Sequence, residues 1–422
     1  MTGAGDALRV LVVTDSFPPH CGGSGWSTFE LARGLRARGH VVDVVQPRPG
    51  RSGRSAREYD AFVVDEVGAT APAVPYVRNY FKNERLWRQL AGVLDERLSA
   101  ERYDVVHAQH VLTTVPSIRA ARARKVPVVA TVRDYWPVCY WSDLIIDPAS
   151  EGLCPACTSG NMTRCVRPRA GAAWPLALPM IPYMRGNLSR KRTTLSAADA
   201  VIAVSSVIAA DLEARAPELS GTRVEHIPNP VDLAAIDRLA ISPAAAAHEP
   251  YLLYCGKLEV NKGADLLVRV VRAAESRLPL IVVGEGRLRA SLEAEAREAG
   301  VDLRVLGWLP REEALGWVRH ASALVFPSRG PESLSRVLLE AGAMGVPIAA
   351  MNTGGTADII RNGTTGLLSS TADELARDVA RLLADRTLAA TLGAAARVHV
   401  HATFDARQVI SRIEALYRDL IR

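Results

Sequence analysis

The stretch Phe326–Ala350, FPSRGPESLSRVLLEAGAMGVPIAA, carries most of what the sequence says about fold and chemistry. It reads as the end of a buried strand (Ala323–Phe326), a polar loop, a helix (Ser335–Met344) and a second strand (Val346–Ala350). A loop that runs into a helix start exposes unpaired backbone N–H groups at the positive end of the helix dipole, a place for an anion. Glu332 lies in that loop and Glu340 eight residues further on, in the helix. Two carboxylates beside an anion site avoid repulsion when they face hydroxyl groups. The implied ligand has a negative middle and hydroxyl-bearing ends, as a nucleotide sugar does. Taken alone, Glu340 among Leu338, Leu339 and Ala341 reads equally well as a solvated glutamate on an ordinary helix.

Composition agrees with a soluble globular protein. The chain has 422 residues, enough for two cores, with 48% hydrophobic and 23% charged residues. A formal net charge of +6 suits anionic substrates or a membrane surface without requiring either. Aromatic residues are 5%, and no basic-aromatic run occurs, which argues against nucleic acid as a partner. No signal-peptide pattern precedes the first strand, and no apolar run approaches the ~20 residues of a membrane helix. The expected location is the cytoplasm, with the inner face of the membrane left open.

The chain reads as alternating strands and helices. Leu8–Thr14 is an apolar strand, followed by the Gly-rich loop Asp15–Gly25, a helix over about Trp26–Ala37 and a strand at Val41–Val45. Asp104–His110 and Val128–Val132 are strands whose ends carry His107, His110, Arg133 and Asp134. Residues just past the carboxyl ends of parallel strands line the crevice of α/β folds, so these four are ligand-facing candidates. Cys139, Cys154, Cys157 and Cys165 share one loop-rich segment. Cys154 and Cys157 form a C-x2-C pair, and the four thiols are candidate ligands of a structural zinc; reduced thiols, disulfides and an iron–sulfur cluster are the other readings. Asn161–Arg192 holds seven basic residues and no acidic one. Its proline-interrupted apolar run, Gly171–Met184, reads as a cleft-lining loop or as a surface for an anionic membrane. The Ala/Pro-rich stretch Ile241–Pro250 is the expected linker.

In the second half, Tyr251–Cys255 is a strand, followed by Gly256-Lys257 and Lys262-Gly263 before a helix. Two lysines at such a turn can neutralise a diphosphate and stabilise it as a leaving group. Leu280–Val283 ends at Gly284, and Leu303–Leu306 runs to Gly307-Trp308-Leu309-Pro310.

The spacing of Glu332 and Glu340, followed by Ala-Gly-Ala-Met-Gly-Val-Pro-Ile, resembles the E-x7-E motif of the retaining glycosyltransferase family 4. Pro19 to Gly23 resembles its Pro-x-x-Gly-Gly loop, and Gly256–Gly263 its Gly-Arg-x4-Lys-Gly segment, with Lys257 at the Arg position. Ile227-Pro228-Asn229-Pro230-Val231-Asp232 resembles Ile-Pro-Asn-Gly-Val-Asp. Gly354–Ile360 and Gly363–Leu368 resemble two further glycine motifs. The resemblance runs from Leu8 to about Ile421 and is thin between Arg51 and Ala100. It implies a GT-B fold: two Rossmann-like parallel-sheet domains facing across a cleft. The first would span 1–240 on the acceptor side with the Cys-containing insertion at about 139–192. The second, 250–405, would bind the nucleotide sugar, and the helix 406–422 would pack back on the first. It implies metal-independent transfer of a sugar from a nucleotide-diphosphate donor to a glycan, lipid-linked or small-molecule hydroxyl. Glu332, His110 and Lys262 would be catalytic. Gly22, Gly23, Gly256, Lys257, Lys262, Gly284, Leu309, Ser333, Leu334, Ser335 and Glu340 would bind donor. His107, Arg133 and Asp134 would face acceptor. Two departures stand out. Arg133 occupies a position where relatives carry His, and Arg cannot act as a general base; Ser335 has a Cβ where Gly is common. A sugar-nucleotide epimerase, a phosphorylase on the same fold and a non-catalytic membrane-docking scaffold are the alternative readings.

Overall fold

The computed structural model describes residues 7–70, 80–147, 153–239 and 249–422. They form two compact units: one from Met1–Asp143, Ala156–Pro230 and Ala406–Arg422, the other from Leu144–Pro155 and Val231–Asp405.

The first unit is built on eight strands: β1 (Arg9–Val13), β2 (Val41–Pro49), β3 (Arg54–Tyr59), β4 (Phe62–Ala69), β5 (Val105–Ala108), β6 (Val128–Val132), β7 (Ala200–Ala203) and β8 (Val224–His226). Their order in the sheet is β3-β4-β2-β1-β5-β6-β7-β8. All neighbours are parallel except the hairpin β3–β4. Strands β1, β5, β6 and β7 are almost wholly apolar because parallel strands are covered on both faces. The hairpin was not foreseen, since its turn, Asp60-Ala61, lacks the usual glycine. Both residues nevertheless take positive φ, 46° and 61°, the geometry of a two-residue primed turn.

Helix Ala406–Ile421 belongs to this unit. It buries Val409, Ile410, Ile413, Leu416 and Tyr417, a helical spacing, in the same core as Val10, Val12, Leu31 and Leu35. Gly34 permits the contact with helix Gly23–Ala37: a Cβ there would lie 2.1 Å from Ile410 Cδ1.

The segment expected to be a loop is helical, with helices at Ser159–Ala170, Trp174–Ala177 and Met180–Leu195. Pro175 and Pro182 fall in first turns, where a backbone N–H has no intrahelical partner to lose. The prolines therefore divide helices instead of abolishing them. Met162, Val166, Ile181, Met184 and Leu188 form a small core of their own with Tyr140.

The second unit carries β9 (Leu252–Cys255), β10 (Leu280–Val283), β11 (Leu303–Gly307), β12 (Ala323–Phe326), β13 (Ile348–Met351) and β14 (Leu367–Ser369). Their order is β11-β10-β9-β12-β13-β14, parallel throughout. The units divide at Pro230/Val231, not in the expected linker, most of which (241–248) lies outside the described residues. The reason is the helix Leu233–Leu239, which buries Leu233, Ala235 and Ile236 and meets helix Arg311–Arg319 through the 3.3 Å pair Asp237–Arg319. Residues 144–155 also count with the second unit, so the expected insertion is not one piece.

Candidate functional site

In the second unit, the carboxyl ends of β9, β10 and β12 carry the residues singled out by sequence. The backbone there is held tightly. Gly256 N–H bonds Val283 O at 3.0 Å, and Gly284 N–H bonds Gly307 O at 2.8 Å. A Cβ at Gly284 would lie 1.9 Å from Gly256 O, so glycine is required for β9 and β10 to end side by side. The loop after β9 is pinned to the loop after β12. Asn261 O accepts from Arg329 N–H (3.2 Å) and Gly330 N–H (2.7 Å). Gly263 has φ +67°, and a Cβ there would meet Pro327 O at 1.9 Å.

This clamp sets Lys262 against Glu332. Lys262 Nζ lies 2.7 Å from Glu332 Oε1, with the carboxylate side chain only 8% exposed and the lysine 35%. Ser328 Oγ donates to the same oxygen. Gly355 N–H donates to Glu332 O at 2.7 Å, which ties in the Thr353–Gly355 loop. Lys257 is exposed, and its backbone O accepts from Tyr254 Oη at 2.7 Å. Burial, with Cys255, Glu332 and two further acids nearby, pushes the Tyr254 phenol well above its ordinary value.

Glu340 sits in the helix Arg336–Ala343, one residue in from the expected start. It is not the solvated residue its neighbours suggested. Arg336 Nε and Arg311 Nη1 each lie 2.9 Å from its Oε1, and all three side chains are 12% exposed or less. Burial first, then Glu340, pushes the Cys255 thiol up to about 12. Glu332 and Glu340 are thus each met by a cation. The lone-carboxylate picture from spacing is corrected on this point. Arg311 opens the helix that follows Leu309-Pro310, a role no motif marked; Arg336, at i−4 from Glu340, was open to the helix-pair rule. Ser335 takes φ −70°, an ordinary conformation for an L-residue, so its Cβ brings no strain. Its side chain makes no capping bond, and Ser333 and Leu334 complete the approach to the helix start.

In the first unit, Gly22 caps the helix Gly23–Ala37, which begins three residues before the expected Trp26. A Cβ at Gly22 would meet nothing within 4 Å, so the glycine is not demanded by packing. His107 is fully buried. Its Nδ1 meets Tyr417 Oη, and its Nε2 meets Thr131 Oγ1 at 2.6 Å. Both ring nitrogens are occupied within the core, so the acceptor-side assignment of His107 is corrected: it fastens the last helix to the sheet.

His110 caps the helix Val111–Ala123. Burial, helped by the Arg133 cation, lowers both His107 and His110 to about 3. A histidine that weakly basic is neutral at pH 7 and a poor proton acceptor. His110 Nε2 and Gln109 Nε2 are buried without a hydrogen-bond partner, so they keep their capacity for a ligand. Arg133 is buried and donates to Asn229 Oδ1 (2.8 Å) and Gln109 O (3.2 Å), joining the ends of β5 and β6 to the Ile227–Pro230 segment. Burial raises Asp134 to about 6 against the opposing pull of Trp136 N–H, Lys191 and Ser142. Lys191 is itself lowered to about 8 by burial.

None of the six cysteines is in a disulfide. The neighbouring Cys139 and burial push the Cys157 thiol well above its ordinary value, and Cys165 Sγ donates to Met162 O at 3.3 Å. Among the described residues no group of three or more His, Cys, Asp or Glu is arranged to hold a metal ion. The expected zinc set therefore does not assemble there.

Comparison with known proteins places these features. Residues 21–235 match the model "Glycosyltransferase Family 4", and residues 237–399 match "Glycosyl transferases group 1". The chain is 28% identical to glycogen synthase of Mycobacterium tuberculosis, over 97% of this chain and 94% of that one. It is 30% identical to the D-inositol 3-phosphate glycosyltransferase of Xylanimonas cellulosilytica, over 89% and 87%. Among solved structures, sucrose-phosphate synthase from Thermosynechococcus elongatus matches with a TM-score of 0.71 and 22% identity, over 98% of this chain and 99% of that one. Anabaena HepE in complex with UDP-glucose matches with a TM-score of 0.66 and 16% identity, over 98% and 100%. At these identities the structures speak for the fold, and the sequence matches for the family. With two parallel-stranded α/β units and the Glu332–Glu340 pair at the rim of the second, the chain belongs to glycosyltransferase family 4 and is a glycosyltransferase of the GT-B fold.

Proposed function

We propose that this glycosyltransferase moves a hexose from a nucleoside-diphosphate sugar to an acceptor hydroxyl, with retention of the anomeric configuration and without a metal ion. The carrying observation is the Lys262–Glu332 pair, held at 2.7 Å by two interlocked loops beside a helix start. In this reading Lys262 and Lys257 bind the diphosphate and stabilise the charge that grows on it as the C1–O bond breaks. Lysine supplies a point charge rather than a fork, so positioning falls to the backbone clamp. Glu332, released from Lys262 by the incoming phosphate, accepts from a sugar hydroxyl. Glu340, oriented by Arg311 and Arg336, offers its other oxygen to the ribose. The acceptor oxygen attacks C1 on the face the leaving group vacates, and its proton passes to the departing phosphate oxygen. The weak basicity of His110 agrees with a proton transfer that bypasses it. Gly22, Gly23 and His110 remain the substrate-facing candidates of the first unit.

The nucleotide-sugar donor is supported by relatives whose names say as much. HepE was solved with UDP-glucose, and GDP-mannose-dependent mannosyltransferases of mycobacteria match over about two fifths of the chain. The test is a panel of UDP-, GDP- and dTDP-sugars assayed in the presence of a chelator. Proton NMR of the glycoside formed then reads its anomeric configuration. Transfer with the donor's configuration supports the proposal. Inversion, or a strict metal requirement, overturns it; nucleotide binding with no transfer to any acceptor would favour a non-catalytic role.

A further inference from the structure

The helical segment Ser159–Leu195 carries a charge pattern that the site just described does not use. From Gly152 to Ala198 there is no Asp or Glu, and Asn161–Arg192 holds seven basic residues. Four of the seven are committed inside the first unit. Arg169 pairs with Asp143 at 2.6 Å, Arg190 with Glu84, and Arg192 with Glu218 at 3.7 Å. Lys191 is buried beside Asp134. The other three, Arg164, Arg167 and Arg185, are exposed. Arg167 stacks over Trp174 at 5.6 Å, and Arg185 donates to Ser159 Oγ at 2.8 Å.

Close in sequence to these arginines is an apolar turn and helix, Gly171–Ala177. Ala172, Ala173, Pro175 and Leu176 are exposed in a row, and Pro179 follows. Leu176 is 84% exposed, the most of any large apolar side chain among the described residues. Ala177 is buried in the small core of Tyr140, Met162, Val166, Ile181 and Met184, and Leu178 packs against it, but Ala172, Ala173, Pro175 and Leu176 do not belong to that core. Folding therefore gives no reason for these four exposed residues to be apolar.

We propose that residues 171–179, with Arg164, Arg167 and Arg185, form a peripheral docking tip for an anionic lipid surface. Guanidinium groups meet lipid phosphates, while Leu176, Pro175 and the two alanines enter the boundary between headgroups and acyl chains. The tip offers few exposed residues, far short of the roughly 800 Å² per partner of a stable protein interface. A short apolar wedge with three cations instead suits weak, reversible attachment. No helix among the described residues is long and apolar enough to cross a membrane, so attachment through this segment is to one face.

The test is flotation of the full chain with vesicles of phosphatidylcholine, with and without phosphatidylglycerol, at low and high salt. Binding is expected only with phosphatidylglycerol, and it should fall as salt rises. Arg164→Gln, Arg167→Gln and Arg185→Gln should each weaken it about fivefold. Leu176→Asp should weaken it further, while the unfolding temperature stays unchanged, since Leu176 packs against little. Equal binding to both vesicle types, no binding to either, or full binding by the Leu176→Asp variant would overturn the proposal. So would attachment that needs an added acidic protein in place of lipid.

Discussion

The Lys262–Glu332 pair lends itself to a double-mutant cycle with Lys262→Met and Glu332→Gln. At 2.7 Å and an effective dielectric of 20, the Coulomb attraction is 332/(20 × 2.7), about 6 kcal/mol gross. The lysine side chain is 35% exposed, so hydration offsets much of this, and a charged hydrogen bond of this kind nets about 1.5–3 kcal/mol. The coupling read from urea unfolding of the four proteins should fall in that range. Kinetics should show more. Removing the cation that meets a developing diphosphate charge is expected to lower kcat by about 10²–10³-fold, the size seen when a preorganised donor is deleted. The double variant should be little worse than the poorer single one, because residues acting as a unit do not add. Steady-state kcat and KM with saturating acceptor separate the two effects. A Lys262→Met enzyme with full turnover, or a cycle additive to within about 0.3–0.5 kcal/mol, would refute the idea that this pair is the hinge of the chemistry.

Other outcomes follow from single features. Gly263→Ala puts a methyl group 1.9 Å from Pro327 O at φ +67°; the strained backbone alone is worth about 1–3 kcal/mol, so a lower unfolding temperature is expected together with weakened nucleotide affinity by calorimetry. Tyr417→Phe removes the partner of a buried His107 nitrogen and should cost about 1–3 kcal/mol, visible as faster hydrogen exchange in the last helix. Stability should fall on acidification below pH 6.5. His107 and His110 hold a proton near 6.5 when unfolded but only near 3 when folded, so across that window the unfolded chain binds more protons. Asp134, raised from 3.8 to about 6, acts in the opposite sense between those values, but it is one group against two. Urea midpoints measured from pH 7 to pH 4 check the direction, and His107→Asn should flatten the slope.

How far the sequence could be read depended on distance along the chain. Apolar runs such as Leu252–Cys255 and Val128–Val132 identified themselves as buried strands because parallel sheets are covered on both faces. Glu332 and Glu340 stood out by their spacing. Their partners did not: Arg311 reaches Glu340 from 29 positions away, and Lys262 reaches Glu332 from 70. His107 looked like a ligand-facing residue because a strand end was the only context available, while its partner Tyr417 lies 310 positions on. The helices of residues 171–195 were hidden by their prolines, and Pro175 and Pro182 are tolerated because they sit in first turns. The Asp60-Ala61 turn carried no glycine to announce it.

The assignment of Ala406–Ile421 to the first unit has a bearing on biosynthesis. Strands β1 to β8 have all been synthesised once residue 226 is made, yet Ile410, Ile413 and Tyr417, which finish their packing, are added only after the whole of Val231–Asp405. Val231–Asp405, nearly the whole of the other unit, is one continuous run, and Val231 N–H bonds Phe404 O at 3.0 Å where that run starts and stops. The later-made half can thus settle while the earlier one still waits for its closing helix. A fragment ending at residue 405 should already resist protease over β9 to β14 and remain cleavable around β1 and β5.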